Sequence, residues 1–148
     1  RGLGNVIDHG CSLAELAEQI LIEEKEWEII SRAQLGIINF RFKGNGTKTE
    51  QELDVMNQEI ARIVTESGFA QVFTTKLKGK KVLRMCTINP ETREKDIRDT
   101  IERLIETAGK VQNYKIQTGG PEKDRLLFIS WETASLRRPG VDFLSCCK

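Results

Sequence analysis

The feature that most constrains the fold is the run 82–90, which reads VLRMCTINP. Its first residues are rich in β-branched and other apolar side chains, which favours a strand, and Pro90 ends the run because proline cannot donate to a strand ladder. Side chains alternate across a strand, so Arg84 shares one face with Val82, whereas Leu83 points to the other. The run therefore predicts a mainly apolar strand that carries one fixed cation.

Arg84 is the residue of this strand that requires an explanation. An unpaired buried guanidinium costs several kcal/mol, so the side chain must reach an anion or water. Two interpretations follow from the residues alone. Arg84 is either a structural cation, held in an ion pair or snorkelling to solvent, or a cation that binds the anionic group of a ligand.

Three segments carry apolar residues at the spacing of a helix face. The predicted helices cover about residues 8–24, 49–67 and 92–109. Thr49 followed by Glu52 is a capping-box pattern, Thr92 is a candidate N-cap, and Gly109 is a candidate end for the third helix.

Three extended runs alternate with these helices. They cover residues 35–42, 70–77 and 81–88, and a shorter run at 27–30 is followed by an interruption at 31–34. Lys78-Gly79-Lys80 predicts a hairpin between the last two strands. The order of elements predicts an α+β fold, a two-layer βαββα unit with an antiparallel sheet of three strands and helices on one face. We expect the other face to keep apolar residues, among them Leu83 and Met85, that a further domain would cover.

Three stretches of the chain carry a family resemblance, at residues 8–15, 33–42 and 82–92. In order and spacing they resemble the C-terminal small domain of the group II pyridoxal-phosphate-dependent amino-acid decarboxylases. That group includes the aromatic-amino-acid, glutamate, aspartate and cysteine-sulfinate enzymes. The resemblance implies the C-terminal domain of a fold-type I enzyme. Its expected parts are an interdomain helix at 1–24, the small domain at 25–109, and a tail at 110–148 with a possible extra strand at 126–131.

The resemblance also implies a function for the whole protein, a lyase of amino-acid metabolism. It would decarboxylate an L-amino acid with pyridoxal 5'-phosphate, as a cytoplasmic homodimer. Arg84 is then expected to enter the cleft between the small domain and a large cofactor-binding domain, and to bind a carboxylate of the substrate. A planar guanidinium suits this bidentate contact. No other catalytic, cofactor-binding or metal-binding residue is expected in this chain, and the substrate amino acid is left open.

The cofactor lysine of that family has no candidate here. In the family this lysine follows a histidine, whereas His9, the one histidine of the chain, is followed by Gly10. Because the chain begins at Arg1 and the large domain has no counterpart, we expect a fragment that is inactive alone. The alternatives are a free-standing effector-binding module and a protein-interaction domain without catalytic activity.

Composition argues against several other classes of protein. With 23 basic and 22 acidic residues and a net charge of +1, the chain lacks the basic surface of a nucleic-acid binder. It has no apolar run long enough to cross a membrane. Its four cysteines have no C-x-x-C spacing, so neither a zinc site nor a disulfide framework is expected, and a reducing compartment fits.

Three remaining features receive structural interpretations. His9, at a helix start, is expected to be a cap-region or interface residue. Gly44-Asn45-Gly46 has too few glycines and no lysine motif for a phosphate cradle, so it predicts a turn. The lysines near the second hairpin are expected to be solvated.

Overall fold

The computed structural model describes residues 2–117. Its elements are α1 (Leu3–Glu23), β1 (Trp27–Gln34), β2 (Ile37–Phe42), α2 (Glu50–Glu66), β3 (Phe73–Leu77), β4 (Lys80–Cys86) and α3 (Glu94–Gln117). The predicted α+β class is confirmed. The possible strand at 126–131 lies outside the described residues.

The sheet has four antiparallel strands in the order β1-β2-β4-β3, one strand more than predicted. The interruption expected at 31–34 is wrong, because these residues belong to β1, and Ser31 and Gln34 pair with β2. Two register shifts, on either side of Ser31, break the alternation of side chains that identifies a strand. The chain reverses at Leu35 and Gly36, whose φ angles are 51° and 73°. Two successive left-handed residues make the tight turn that suits a β-hairpin.

The helices pack against one face of the sheet and form a single core with it. Phe40 and Leu83 are Cα partners across β2 and β4, and both are fully buried in this core, as is Met85 at 4 % exposure. The expectation that Leu83 and Met85 lie on the uncovered face is therefore wrong. We call the opposite side the outer face. It includes Ser31, Ile37, Asn39, Arg41, Phe73, Thr75, Val82, Arg84 and Cys86.

The capping box predicted at the start of α2 is confirmed, with reciprocal bonds between Thr49 and Glu52. Helix α1 begins earlier than expected. Helix α3 begins two residues after Thr92, and the Arg93 amide donates to the Asp96 carboxylate at 2.9 Å. Helix α3 also continues through Gly109, where an end was predicted. Val111 lies in the core two residues further on, and its burial favours the continuation.

Helix α1 contacts the end of the sheet through its backbone at Gly10. The Thr87 hydroxyl donates to the Gly10 carbonyl at 2.7 Å, and the Thr87 amide donates to the Gly36 carbonyl at 2.8 Å. A Cβ atom at Gly10 would lie 3.1 Å from the Thr87 carbonyl oxygen, so glycine permits this close approach. His9 Nε2 adds a contact of 2.8 Å with the Thr92 carbonyl. His9 thus joins two elements, as predicted for an interface residue.

Candidate ligand-binding site on the outer face of the sheet

Arg84 lies in a row of residues that crosses the whole sheet. Its Cα partners are Asn39 on β2 and Phe73 on β3, and Asn39 is in turn paired with Ser31 on β1. Cross-strand partners share a face, so all four side chains belong to the outer face. The sheet ladder thus fixes the side chains that surround the Arg84 guanidinium.

The contacts of Arg84 within the described residues show which of its nitrogen atoms already have a partner. Arg84 is partly exposed, and its Nε donates to Asn39 Oδ1 at 3.1 Å. Among residues 2–113 no carboxylate forms an ion pair with it, and neither terminal nitrogen has a hydrogen-bond acceptor there. The guanidinium is therefore oriented by a neutral amide oxygen, while its two terminal amino groups remain available for an anion.

Asn39 is placed by β2, where it alternates with the buried residues Ile38 and Phe40. Its side chain lies on the outer face, yet it is only 8 % exposed. A buried amide requires hydrogen-bond partners, and the Arg84 Nε–H provides one for its oxygen. Alternation along the predicted strand 35–42 separates Asn39 from Ile38 and Phe40, but sequence analysis gave Asn39 no role.

Arg41 is the buried cation that sequence reasoning missed. Its side chain is 1 % exposed and donates to Glu50 Oε2 at 2.7 Å and to Asp54 Oδ1 at 2.9 Å. The same Asp54 oxygen accepts the Lys81 amide at 2.9 Å. Acidic residues four apart at the start of a helix share a face, so the spacing of Glu50 and Asp54 was the available signal.

A cavity of about 540 Å³ opens beside Arg41. Its charged lining is Lys25, Glu28, Arg41, Lys43, Lys48, Glu50 and Lys80. The loop at its edge contains Gly44 and Gly46 in left-handed conformation, with φ of 62° and 83°, which confirms the predicted turn. Arg41 already has two carboxylate partners, and the lysines are surface residues. The cavity therefore does not make Arg41 a ligand-binding residue.

The other candidate side chains, which are lysines, cysteines and Arg62, are exposed, partly exposed or hydrogen-bonded to a neighbouring side chain. Lys76 and Lys78 are exposed, as expected for a solvated hairpin, whereas Lys81 Nζ contacts Gln58 Oε1 at 2.5 Å. Cys11 and Cys86 are partly exposed free thiols, and the other two cysteines lie outside the described residues. On α2, the hydrogen bonds that Arg62 donates to Glu59 and then to Glu66 raise the pKa of Arg62, a paired cation of the helix surface.

The described residues do not fit a covalently held pyridoxal phosphate. None of the lysines among residues 2–113 is buried, whereas such a lysine needs an enclosed site with convergent polar groups. No group of three metal-ligating side chains occurs in the part of the chain that the structure describes. None of the described helices is long and apolar enough to cross a membrane.

Comparison with known proteins identifies relatives of one kind. No family model matches the chain. The chain is 37 % identical over 106 residues to an aromatic-L-amino-acid decarboxylase of Bacillus atrophaeus, covering 72 % of this chain and 21 % of that enzyme. It is 23 % identical over 110 residues to an L-2,4-diaminobutyrate decarboxylase of Acinetobacter baumannii, covering 74 % of this chain and 21 % of that enzyme. The chain thus spans about a fifth of the length of these two relatives.

Solved structures of larger proteins contain a similar fold. A crystal structure of Oryza sativa TDC with PLP and tryptamine matches with a TM-score of 0.67 and 22 % identity, over 72 % of this chain and 23 % of that one. At this level of identity the likeness concerns the fold. The match extends over a domain-sized part of the larger protein.

Proposed function

The chain is related to the group II pyridoxal-phosphate-dependent amino-acid decarboxylases, and we propose that it forms the small domain of such an enzyme. The observation that carries the proposal is the 37 % identity to a segment of a bacterial decarboxylase. An oriented arginine on the outer face supports it. The whole enzyme would release the α-carboxylate of an L-amino acid as carbon dioxide.

We assign to this chain the binding of substrate, and to the large domain the binding of cofactor. Arg84 would face the cleft between the two domains and form a bidentate contact with a substrate carboxylate. Its partial exposure and its terminal nitrogens, which have no acceptor among the described residues, support that role. Since the described residues provide no buried lysine, pyridoxal phosphate would be held mainly outside this chain.

Helix α1 would connect the two domains. Its buried residues pack on this domain, while Leu3, Ile7 and Ile22 remain exposed at 77 %, 40 % and 63 % and would contact the large domain. Phe73 on the outer face, 38 % exposed, would also be covered there. We further propose a homodimer in a reducing cytoplasm, where the two partly exposed thiols would remain reduced.

The test is the substitution Arg84→Lys in the complete enzyme, which keeps the charge and removes the planar fork. If Arg84 binds a substrate carboxylate, kcat/KM for decarboxylation should fall on the order of 10- to 1000-fold, because charge-assisted contacts are worth about 1.5 to 4 kcal/mol. The melting temperature should stay close to that of the wild type. Carbon dioxide release and thermal unfolding of one purified variant supply both measurements.

Arg98→Lys is the matched control, because Arg98 is an exposed arginine of α3. It should change neither kcat/KM nor the melting temperature. A lowered melting temperature with unchanged kcat/KM for Arg84→Lys would show a structural cation and contradict the proposed role. A complete protein that decarboxylates no L-amino acid would instead favour the effector-binding or interaction module.

A further inference from the structure

We infer that Asn39 is a positioning residue, which holds the Arg84 guanidinium with a neutral acceptor so that its charge is kept for the ligand carboxylate. The inference rests on the proposed function of Arg84 and deepens it. It assigns the carboxylate specificity of the site to a pair of residues on neighbouring strands.

The first step of the argument is the geometry of the pair. Asn39 and Arg84 are Cα partners in the β2–β4 ladder, and Arg84 Nε lies 3.1 Å from Asn39 Oδ1. Asn39 is 8 % exposed and belongs to a strand whose neighbouring residues lie in the core. An acceptor held in this way restricts the orientation of the guanidinium plane before any ligand arrives.

The second step concerns which edge of the Arg84 guanidinium remains available to a ligand carboxylate. A carboxylate can bind two parallel N–H groups either along the side, through Nε and one terminal nitrogen, or across the end, through both terminal nitrogens. Asn39 occupies Nε and so blocks the side edge. The end edge, which has no acceptor among the described residues, is left for the ligand.

The third step concerns charge. Arg41, two residues along β2 from Asn39, has its charge compensated by Glu50 and Asp54. An amide oxygen orients Arg84 without such compensation, because it carries only a partial charge. A carboxylate at position 39 would lie close to the guanidinium and would compete with the ligand for it.

The experiment measures Asn39→Asp in the complete enzyme, with aromatic L-amino acids and L-2,4-diaminobutyrate as substrates. KM should rise on the order of 10- to 100-fold, whereas kcat should change less than about 3-fold, because binding is lost rather than chemistry. The inhibition constant of the corresponding amine, which lacks the carboxylate, should stay at the wild-type value. Asn39→Leu, which removes the acceptor without adding charge, should raise KM by a smaller factor and also spare the amine.

Two controls place the same added charge elsewhere. Ser31 lies in the same row as Asn39 but one strand further from Arg84, and neighbouring strands are roughly 5 Å apart. The KM of the Ser31→Asp variant should therefore rise much less than that of Asn39→Asp. Asn45 lies in the exposed loop that follows β2, so the KM of the Asn45→Asp variant should equal that of the wild type.

The outcomes separate this inference from the proposed function. If Arg84→Lys lowers kcat/KM while both Asn39 variants leave KM unchanged, Arg84 binds the carboxylate without Asn39 and the inference is wrong. If both Asn39 variants weaken the amine as much as the amino acid, Asn39 has only a structural role and the inference is wrong as well. If Arg84→Lys also has no effect, or no substrate is turned over, the proposed function itself fails. Should Asn39→Asp not fold, Asn39→Leu decides by the same criterion.

Discussion

Arg41 and Arg84 occupy the same face of two neighbouring strands, yet their surroundings differ. Arg41 is 1 % exposed and forms ion pairs with Glu50 and Asp54. Arg84 is partly exposed, and within the described residues its hydrogen-bond partner is the amide oxygen of Asn39. One end of the outer face thus has a compensated cation, and the other has a cation that is oriented but not compensated.

The difference arises from the elements that approach each end of the sheet. The first turns of α2 bring two carboxylates to Arg41, where β2 leads into the loop before that helix. At the other end, α1 and the Leu35-Gly36 turn contribute backbone groups, which contact Thr87. An ion pair is the expected solution for an arginine in a strand, and the fold provides it for Arg41. Both residues are arginines, so the residue type does not distinguish them. The burial of the guanidinium and the charge of its partners distinguish the structural cation from the candidate binding residue.

The largest effect should follow from removing a carboxylate at the compensated end. Asp54→Ala leaves the buried Arg41 with Glu50, which is 63 % exposed, and leaves the Lys81 amide without its acceptor. We expect the free energy of unfolding to fall by about 3 kcal/mol, because the buried cation loses the less exposed of its two carboxylate partners and a backbone amide loses its acceptor. Urea denaturation of the 148-residue chain, followed by far-ultraviolet circular dichroism, measures it.

Glu106→Ala is the control for this prediction, since Glu106 forms an ion pair with Lys110 at 3.3 Å on the exposed side of α3. Its cost should stay below roughly 0.5 kcal/mol, as for other surface pairs. Equal losses for the two variants would remove the distinction between a buried and a solvated cation on which the comparison depends.

The sequence predicted the elements whose signals are local. The capping box at Thr49 and the lysine-flanked turn at Gly79 both appear as expected. The turn at Leu35-Gly36 has φ angles close to those of Lys78-Gly79, but leucine is not a typical residue for a left-handed position. The bulges in β1 also break its alternation, so the fourth strand left no clear pattern.

The candidate site was predicted in part. That Arg84 lies on the face of its strand opposite Leu83 followed from alternation, because period two is a local property. Which of the two faces the helices cover was predicted wrongly. Its pairing with Asn39 depends on the strand order β1-β2-β4-β3, a non-local property for which spacing gives no signal. The burial of Arg41 likewise depends on where α2 begins relative to β2. The ion pair that was one alternative for Arg84 is therefore found at Arg41.

A moderate effect should follow from Arg41→Lys, which keeps the buried charge but cannot bridge both carboxylates as a guanidinium does. Arg41 reaches Glu50 and Asp54 through its two terminal nitrogens. We expect a loss of about 2 kcal/mol in the free energy of unfolding. The same denaturation experiment measures it, with Arg98→Lys as an exposed control. A stability equal to the wild type would mean that a single contact compensates the cation and that the fork is not needed.

The smallest effect on stability should come from Arg84→Leu. Loss of the guanidinium breaks one hydrogen bond, to Asn39 Oδ1, and removes a cation that has no carboxylate partner among the described residues. The two changes oppose each other, so the free energy of unfolding should stay within roughly 1 kcal/mol of the wild type. Urea denaturation of the chain gives this value, and kcat/KM of the complete enzyme should fall at least as far as for Arg84→Lys. A loss of stability as large as that of Asp54→Ala would place Arg84 in the same structural class as Arg41 and would end the contrast between the two ends of the sheet.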